Sequence, residues 1–273
     1  MQSGYYSSAA GMVTQFNRLD TIANNLANVG SAGYKEDNLI IGGFSRLFKE
    51  ARDELPLENH TKEAAQYLNR AMTKTPQVID DYTDFSLGVM QESNNNLDLA
   101  LAKEGLFFLV KTPQGVRLTR DGTFTKSDDG TLMTKDGYEV LPNDYFASNQ
   151  SIKLNPEDSL IEIDKNGQIL TSAANTANFV QNSKIFVARP DNIDMLQKEG
   201  NNLYKYDGIE NIQSSNDSGA VLQGFIEKSN VNAVKMMTQM IETSRLVEMY
   251  QKAMDSQMND MNRDAIEKIA KKS

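Results

Sequence analysis

The sequence predicts an α+β protein: long N- and C-terminal helices paired as a coiled-coil domain, with an all-β domain inserted between them. Three observations carry this. An unbroken apolar heptad lies near the N-terminus, a long stretch free of Gly and Pro closes the chain, and the middle consists of short segments punctuated by Asp-Gly and Asn-Gly pairs. The expected divisions are 1–35 for the first helix, 36–92 for an extension that is partly irregular, 93–226 for the β domain and 227–273 for the last helix.

In the first helix, Tyr5, Ala9, Met12, Phe16, Leu19, Ala23 and Leu26 follow one another in alternating steps of four and three. That spacing lays one narrow apolar stripe along a helix and asks for a second helix to cover it. A lone helix of this length is marginal in water. Two glycines and a small polar run at Asn28-Val29-Gly30-Ser31-Ala32-Gly33 stop it. The preceding block, with Asn24, Asn25 and Asn28, holds more Asn than an exposed helix end requires. An Asn amide competes for backbone groups and suits a change from helix to extended chain.

Residues 39–75 carry the weakest pattern. Phe44, Leu47, Phe48 and Ala51 suggest one short helix and Lys62 to Met72 another, with Leu55-Pro56 between them. The single histidine, His60, has no second histidine nearby and reads as a solvated surface residue.

From Leu97 the period changes to that of strands. Leu97 to Leu101 alternates, Leu106 to Val110 is a run of the kind buried on both faces, and Gly115 turns into Val116 to Thr119. Asp121-Gly122, Asp129-Gly130 and Asp136-Gly137 recur at a spacing that suits tight hairpin turns, predicting an antiparallel meander. Leu160 to Ile163, Asn166-Gly167 and Ile169-Leu170 form a further hairpin signal. Strands are also expected over 183–189, 202–206 and 221–226.

The last helix runs from about Val231 to Ile269. Met240, Val247, Met254 and Met261 repeat every seven residues, with Met237, Tyr250 and Met258 near the same face. Glu248 with Lys252, Asp264 with Lys268 and Glu267 with Lys271 are favourable i, i+4 pairs, and Lys271 and Lys272 complement the helix dipole. The helices would span roughly 35 and 60 Å, so a simple hairpin leaves about a third of the longer one uncovered. Either the chain's own middle domain covers that length, or other copies of the molecule do.

Composition excludes several classes. The net charge of −9 argues against nucleic acid, and with no cysteine there is neither disulfide nor thiolate metal site. No apolar run is long enough for membrane insertion, and the first helix carries Gln15, Asn17, Arg18 and Asp20 rather than a basic strip. The N-terminal stretch lacks the basic region and apolar core of a Sec signal. Asp128-Asp129-Gly130 lacks the spacing of a calcium loop, and nothing in the sequence brings Asp80-Asp81, or Asp98 and Glu104, together as a catalytic pair. No hydrolase, zinc, phosphate-loop or dinucleotide signature is present. The expectation is no catalytic residue, no metal and no cofactor.

Four motifs point further. Asn24-Asn25-Leu26-Ala27-Asn28-Val29 with Gly33-Tyr34-Lys35 resembles the N-terminal signature of bacterial flagellar rod and hook proteins. Leu97 to Leu101 with Gly105 and Phe107, then Thr119-Arg120-Asp121-Gly122-Thr123-Phe124 and Gly130-Thr131-Leu132, resemble the family's β domain. Gln223-Gly224-Phe225 with Ser229-Asn230-Val231-Asn232, Met240-Ile241 and Arg245 resembles its C-terminal signature. Within the family the chain looks like a rod protein of the FlgF or FlgG type. Lys103 in place of a usual Gly, Leu106 in place of Phe, and Ser244-Arg245-Leu246-Val247 in place of Gln-Arg-Ala-Tyr favour a proximal-rod, FlgF-like protein over a distal-rod, FlgG-like one.

The resemblance implies export through the flagellar type III apparatus without a Sec signal, and a periplasmic rod subunit in the basal body. Its partners would be other copies of itself, other rod proteins and hook–basal body components, assembled into a helical tube that transmits torque. The candidate assembly interface is Tyr5, Ala9, Met12, Phe16, Leu19, Ala23 and Leu26, with Asn25 and Asn28, and Met237, Met240, Ile241, Val247, Met254, Met258 and Met261 on the last helix. The rival readings are a β-domain enzyme or glycan-binding protein oligomerised by a coiled coil, and a soluble adaptor.

Overall fold

The computed structural model describes residues 2–43, 76–154, 158–173, 179–215 and 218–270. It is α+β, with an N-terminal helix, a β-rich middle and a C-terminal helix. The chain divides into two compact units, one of Met1–Ala27, Asp37–Thr83 and Asn232–Ser273, the other of Asn28–Glu36 and Asp84–Val231.

The first unit holds helix α1 (Gln2–Ala27), the strands β1 (Glu36–Gly43) and β2 (Pro76–Asp84), which pair as a two-stranded ribbon, and helix α2 (Ala233–Ala270). Asn232 starts α2 as its N-cap, its side-chain oxygen accepting the Lys235 N–H at 3.1 Å. The helices pack antiparallel: Gly4 lies against Gln257, Gly11 against Tyr250 and Asn25 against Met236. The same register puts the start of α1 level with residue 259. Residues 260–270 of α2 therefore extend past their partner, as the unequal lengths foretold.

The second unit is the β domain. In chain order its strands are β3 (Met90–Glu92), β4 (Leu99–Leu101), β5 (Phe107–Thr112), β6 (Gly115–Thr119), β7 (Phe124–Lys126), β8 (Leu132–Thr134), β9 (Glu139–Val140), β10 (Asp158–Ile163), β11 (Gln168–Ala173), β12 (Val180–Lys184), β13 (Val187–Ala188), β14 (Gln197–Gly200), β15 (Leu203–Lys205), β16 (Val221–Gln223) and β17 (Phe225–Glu227). The largest sheet runs β14-β15-β6-β5-β9-β8-β7, with β13 also on β5. A second sheet is β10-β11-β12, and the two short pairs β4/β16 and β3/β17 join the end of the domain to its beginning. Strand β5 is the axis of the core. Phe108 and Val110 face one apolar cluster and Phe107 and Leu109 the other, all without exposure, which is why this segment reads as continuously apolar.

Two expectations are corrected. No strand was expected before Leu97, yet β1, β2 and β3 precede it. Their burial alternates poorly, so period-two patterning had little to register. The helices expected within 44–75, and His60, lie outside the described residues. Gly130 and Gly137 do turn with positive φ, but Gly122 makes no hairpin. Its amide carbonyl accepts from Leu99 N–H at 2.9 Å, and a Cβ there would sit 1.7 Å from the Leu99 oxygen. Glycine is required at Gly122 because two backbones touch, not for a turn.

Candidate assembly surface

Within the first unit, α1 meets α2 through Gly4, Gly11 and Asn25. The buried residues Gln15 and Ile22 fall on the same helical face. Five of the seven members of the predicted apolar stripe lie one position further along: Tyr5 after Gly4, Met12 after Gly11, Phe16 after Gln15, Ala23 after Ile22, Leu26 after Asn25. One residue is about 100° of helical rotation. The stripe is therefore turned away from the helix the sequence analysis assigned to cover it. Tyr5, Ala9, Met12, Leu19 and Leu26 are half-buried, Ala23 is exposed and Phe16 is 43% exposed. Tyr6 and Val13, both exposed, widen the surface. The sequence reading erred because it counted apolar residues only, whereas a glycine lets a partner side chain reach the helix backbone.

The contact face of α2 is Met236, Thr243, Tyr250 and Gln257, again seven apart. Met240, Val247, Met254 and Met261 flank it and are half-buried. Met237, Ile241 and Met258, each one position past a contact or flanking residue, are about half exposed. Thr14 shows which side of α1 the ribbon occupies. It precedes Gln15 by one position, and its hydroxyl donates to the Pro76 carbonyl at 2.9 Å. The ribbon thus meets α1 on the flank opposite the stripe.

Asn25 is not a surface residue. It is 1% exposed, and its side-chain amide donates to the Asp37 carbonyl at 2.7 Å while its oxygen accepts the Asp37 N–H at 2.9 Å. Its amide thus takes the place of a paired strand at the start of β1. Thr83 on β2 then donates to the Asp37 carboxylate at 2.8 Å. Asn28 accepts from both the backbone N–H and the hydroxyl of Ser31 and closes the turn after α1.

In the second unit the sequence reading missed a buried charge cluster. Glu227 accepts from Lys35 Nζ at 2.6 Å and from Arg120 Nε at 2.8 Å, and all three side chains are about 1% exposed. Lys35 also donates to the Ser86 carbonyl. The remaining Arg120 N–H groups reach the carbonyls of Leu101, Lys103 and Leu106. Burial pushes the Lys35 ammonium and the Arg120 guanidinium below their ordinary ranges, and Glu227 opposes both shifts. Lys35 and Arg120 lie in motifs quoted above, but Glu227 sits in a short strand where a charge reads as solvated.

Two of the carboxylates considered for chemistry have structural roles. Asp129 accepts from the N–H and hydroxyl of Thr131, which holds its carboxyl low, and Asp98 is bonded by Asn95. A polar groove of about 730 Å³ in the β domain is bordered by Lys111, Glu139, Asp144 and Lys153, with Glu139 bonded by Ser151. Among the described residues no group of His, Cys, Asp and Glu is arranged to hold a metal ion, and no helix is long and apolar enough to cross a membrane.

Three stretches match models of known families: residues 6–35 that of the flagella basal body rod protein, 104–171 that of the flagellar hook protein FlgE/F/G D1 domain, and 222–267 that of the flagellar basal body rod FlgEFG protein C-terminal. Each stretch contributes one member of the charge cluster. The chain is 30% identical over 253 residues to the flagellar basal-body rod protein FlgG of Agrobacterium fabrum, covering 90% of this chain and 91% of that one. It is 28% identical over 271 residues to FlgF of Caulobacter vibrioides, covering 99% of each, and 29% identical to FlgG of Borreliella burgdorferi, covering 95% and 96%.

Proposed function

This chain belongs to the family of flagellar basal-body rod proteins, structural subunits of the flagellum, and from that premise we propose that it polymerises through the outward stripe of its terminal helices. The stripe on α1 meets other copies and other rod subunits, the helices close as a coiled coil, and the product is a helical tube that crosses the periplasm and transmits torque. Delivery is by the flagellar type III export apparatus. The single observation that carries this is the offset of one residue between what α1 buries against α2 and what is apolar on it. A fully covered Phe, Leu or Met side chain adds about 1.5–3 kcal/mol, so a stripe that is partly exposed among the described residues offers free energy for assembly. Its contacts are heterologous and need not close on themselves. Such a helix pair also suits ends that order only on assembly, the β domain folding first.

Between the two rod types, an FlgF-like subunit of the proximal rod is our reading, supported by the departures at Lys103, Leu106 and 244–247 and by the end-to-end match to an FlgF. Restoring motility to a strain lacking FlgF but not to one lacking FlgG tests it; the reverse pattern refutes it. For the assembly surface the test is Phe16→Asp and Met237→Asp. Each places a charge on a half-exposed apolar site, so far-UV circular dichroism and the urea midpoint of the β domain should stay near wild type while rod assembly is lost. Normal assembly by both variants refutes the surface.

A further inference from the structure

We propose that Gly11 and Tyr250 set the rotational phase of α1, holding the apolar stripe outward; the inference rests on the assembly reading above and names the residues that control that surface. A Cβ at Gly11 would stand 2.6 Å from Tyr250 Cε1 and 2.7 Å from Cζ, so the ring occupies the space that a side chain would take. At Gly4 a Cβ would meet Gln257 Oε1 at 2.8 Å, but that is the end of a flexible side chain, which can move. The ring at Gly11 can move only as a rigid plate. Gly11 is also mid-helix, where glycine is less favourable than alanine, so its presence answers to the ring rather than to the helix.

Two phases compete for this helix pair. Apolar burial alone favours turning Tyr5, Met12, Phe16 and Leu19 onto α2, the arrangement that a heptad reading predicts. The observed phase instead buries Gln15 Oε1, Thr243 Oγ1 and Gln257 Oε1 with no hydrogen-bond partner among the described residues. Unpaired buried polar atoms are costly, so this contact face is not selected by its own polarity. The Gly11–Tyr250 contact selects it: the ring seats in the gap left by the missing side chain, and only this phase presents that gap to α2. The helix pair thereby keeps its apolar side for a neighbouring subunit.

The test uses the full chain with Gly11→Ala and, separately, with Tyr250→Ala, each combined with Phe16→Cys as a reporter of phase. Alanine favours helix, so a residue with only a local role predicts unchanged or improved behaviour. Under the proposal Gly11→Ala raises the critical concentration for assembly by roughly tenfold or more. In the monomer it slows maleimide labelling of Phe16→Cys by a similar factor, because the stripe turns inward, and Tyr250→Ala, which removes the ring from its seat, does the same. Assembly of Gly11→Ala at the wild-type concentration overturns the inference, as does lost assembly with unchanged labelling. If Phe16→Asp and Met237→Asp both assemble normally, the assembly surface itself fails; if they are defective and Gly11→Ala is not, only the phase-setting role fails.

Discussion

Glu227 balances two cations with one carboxylate in a place water does not reach, and the consequences belong to single residues. Arg120 spends its donors on three carbonyls and on Glu227, so it stays charged whatever happens to its partner. Glu227→Gln keeps the shape and removes the charge, leaving Lys35 and Arg120 as uncompensated buried cations. Breaking a buried pair from one side costs about 3–5 kcal/mol, and the urea midpoint of the β domain should fall accordingly. Lys35 gives the cluster a pH signature. Its folded value lies below the ordinary lysine value, chiefly through burial. Between those two values the unfolded chain binds more protons than the folded one, so Lys35 makes stability rise with pH through that window; below it the destabilisation is fully present. The difference in stability between wild type and Lys35→Met, followed by urea titration from neutral to alkaline pH, should therefore shift in favour of wild type as pH rises. A flat difference would show that Glu227 cancels the burial effect.

At the scale of elements, Asn25 joins the end of α1 to the start of β1 with two hydrogen bonds to Asp37. Asn25→Ala removes this partner from the part-buried N–H and carbonyl of Asp37, at about 1–3 kcal/mol for such a group. The expected result is faster amide hydrogen exchange over 36–43 and 76–84 with exchange in the β5/β6 hairpin unchanged. What was legible here followed from periodicity. Both terminal helices, the β5/β6 and β10/β11 hairpins and the turns at Gly130 and Gly137 were readable because each has a local signal, apolar spacing or a positive-φ glycine. The ribbon was not, since β1 and β2 are joined only through residues far apart in the chain. The phase of α1 was not either. It depends on the fit of Tyr250 against Gly11, a contact between positions 239 residues apart that no window on the sequence contains.

For the whole molecule the two apolar faces differ: exposed Phe16 with half-buried Tyr5 and Met12 on α1, exposed Val234, Met237 and Ile241 on α2. If the α1 face of one subunit packs on the α2 face of the next, the contact is heterologous, and every subunit carries one of each half. A subunit damaged on one face can then still join by the other, and once joined it offers nothing to the next. Phe16→Asp mixed into wild type should therefore terminate growth, with mean filament length by electron microscopy falling in inverse proportion to the mutant fraction. Met237→Asp should do the same from the opposite end. Phe16→Asp and Met237→Asp mixed without wild type retain one sound pairing between them, and sedimentation should detect pairs and no filaments. A contact in which the α1 stripe met its own copy across a two-fold axis would behave differently: Met237→Asp would leave it intact, and a mixture of the two variants would pair no better than Met237→Asp alone. The mixing experiment thus separates a chain that adds end to end from one that closes in twos, using only the faces that the rotation of α1 leaves open.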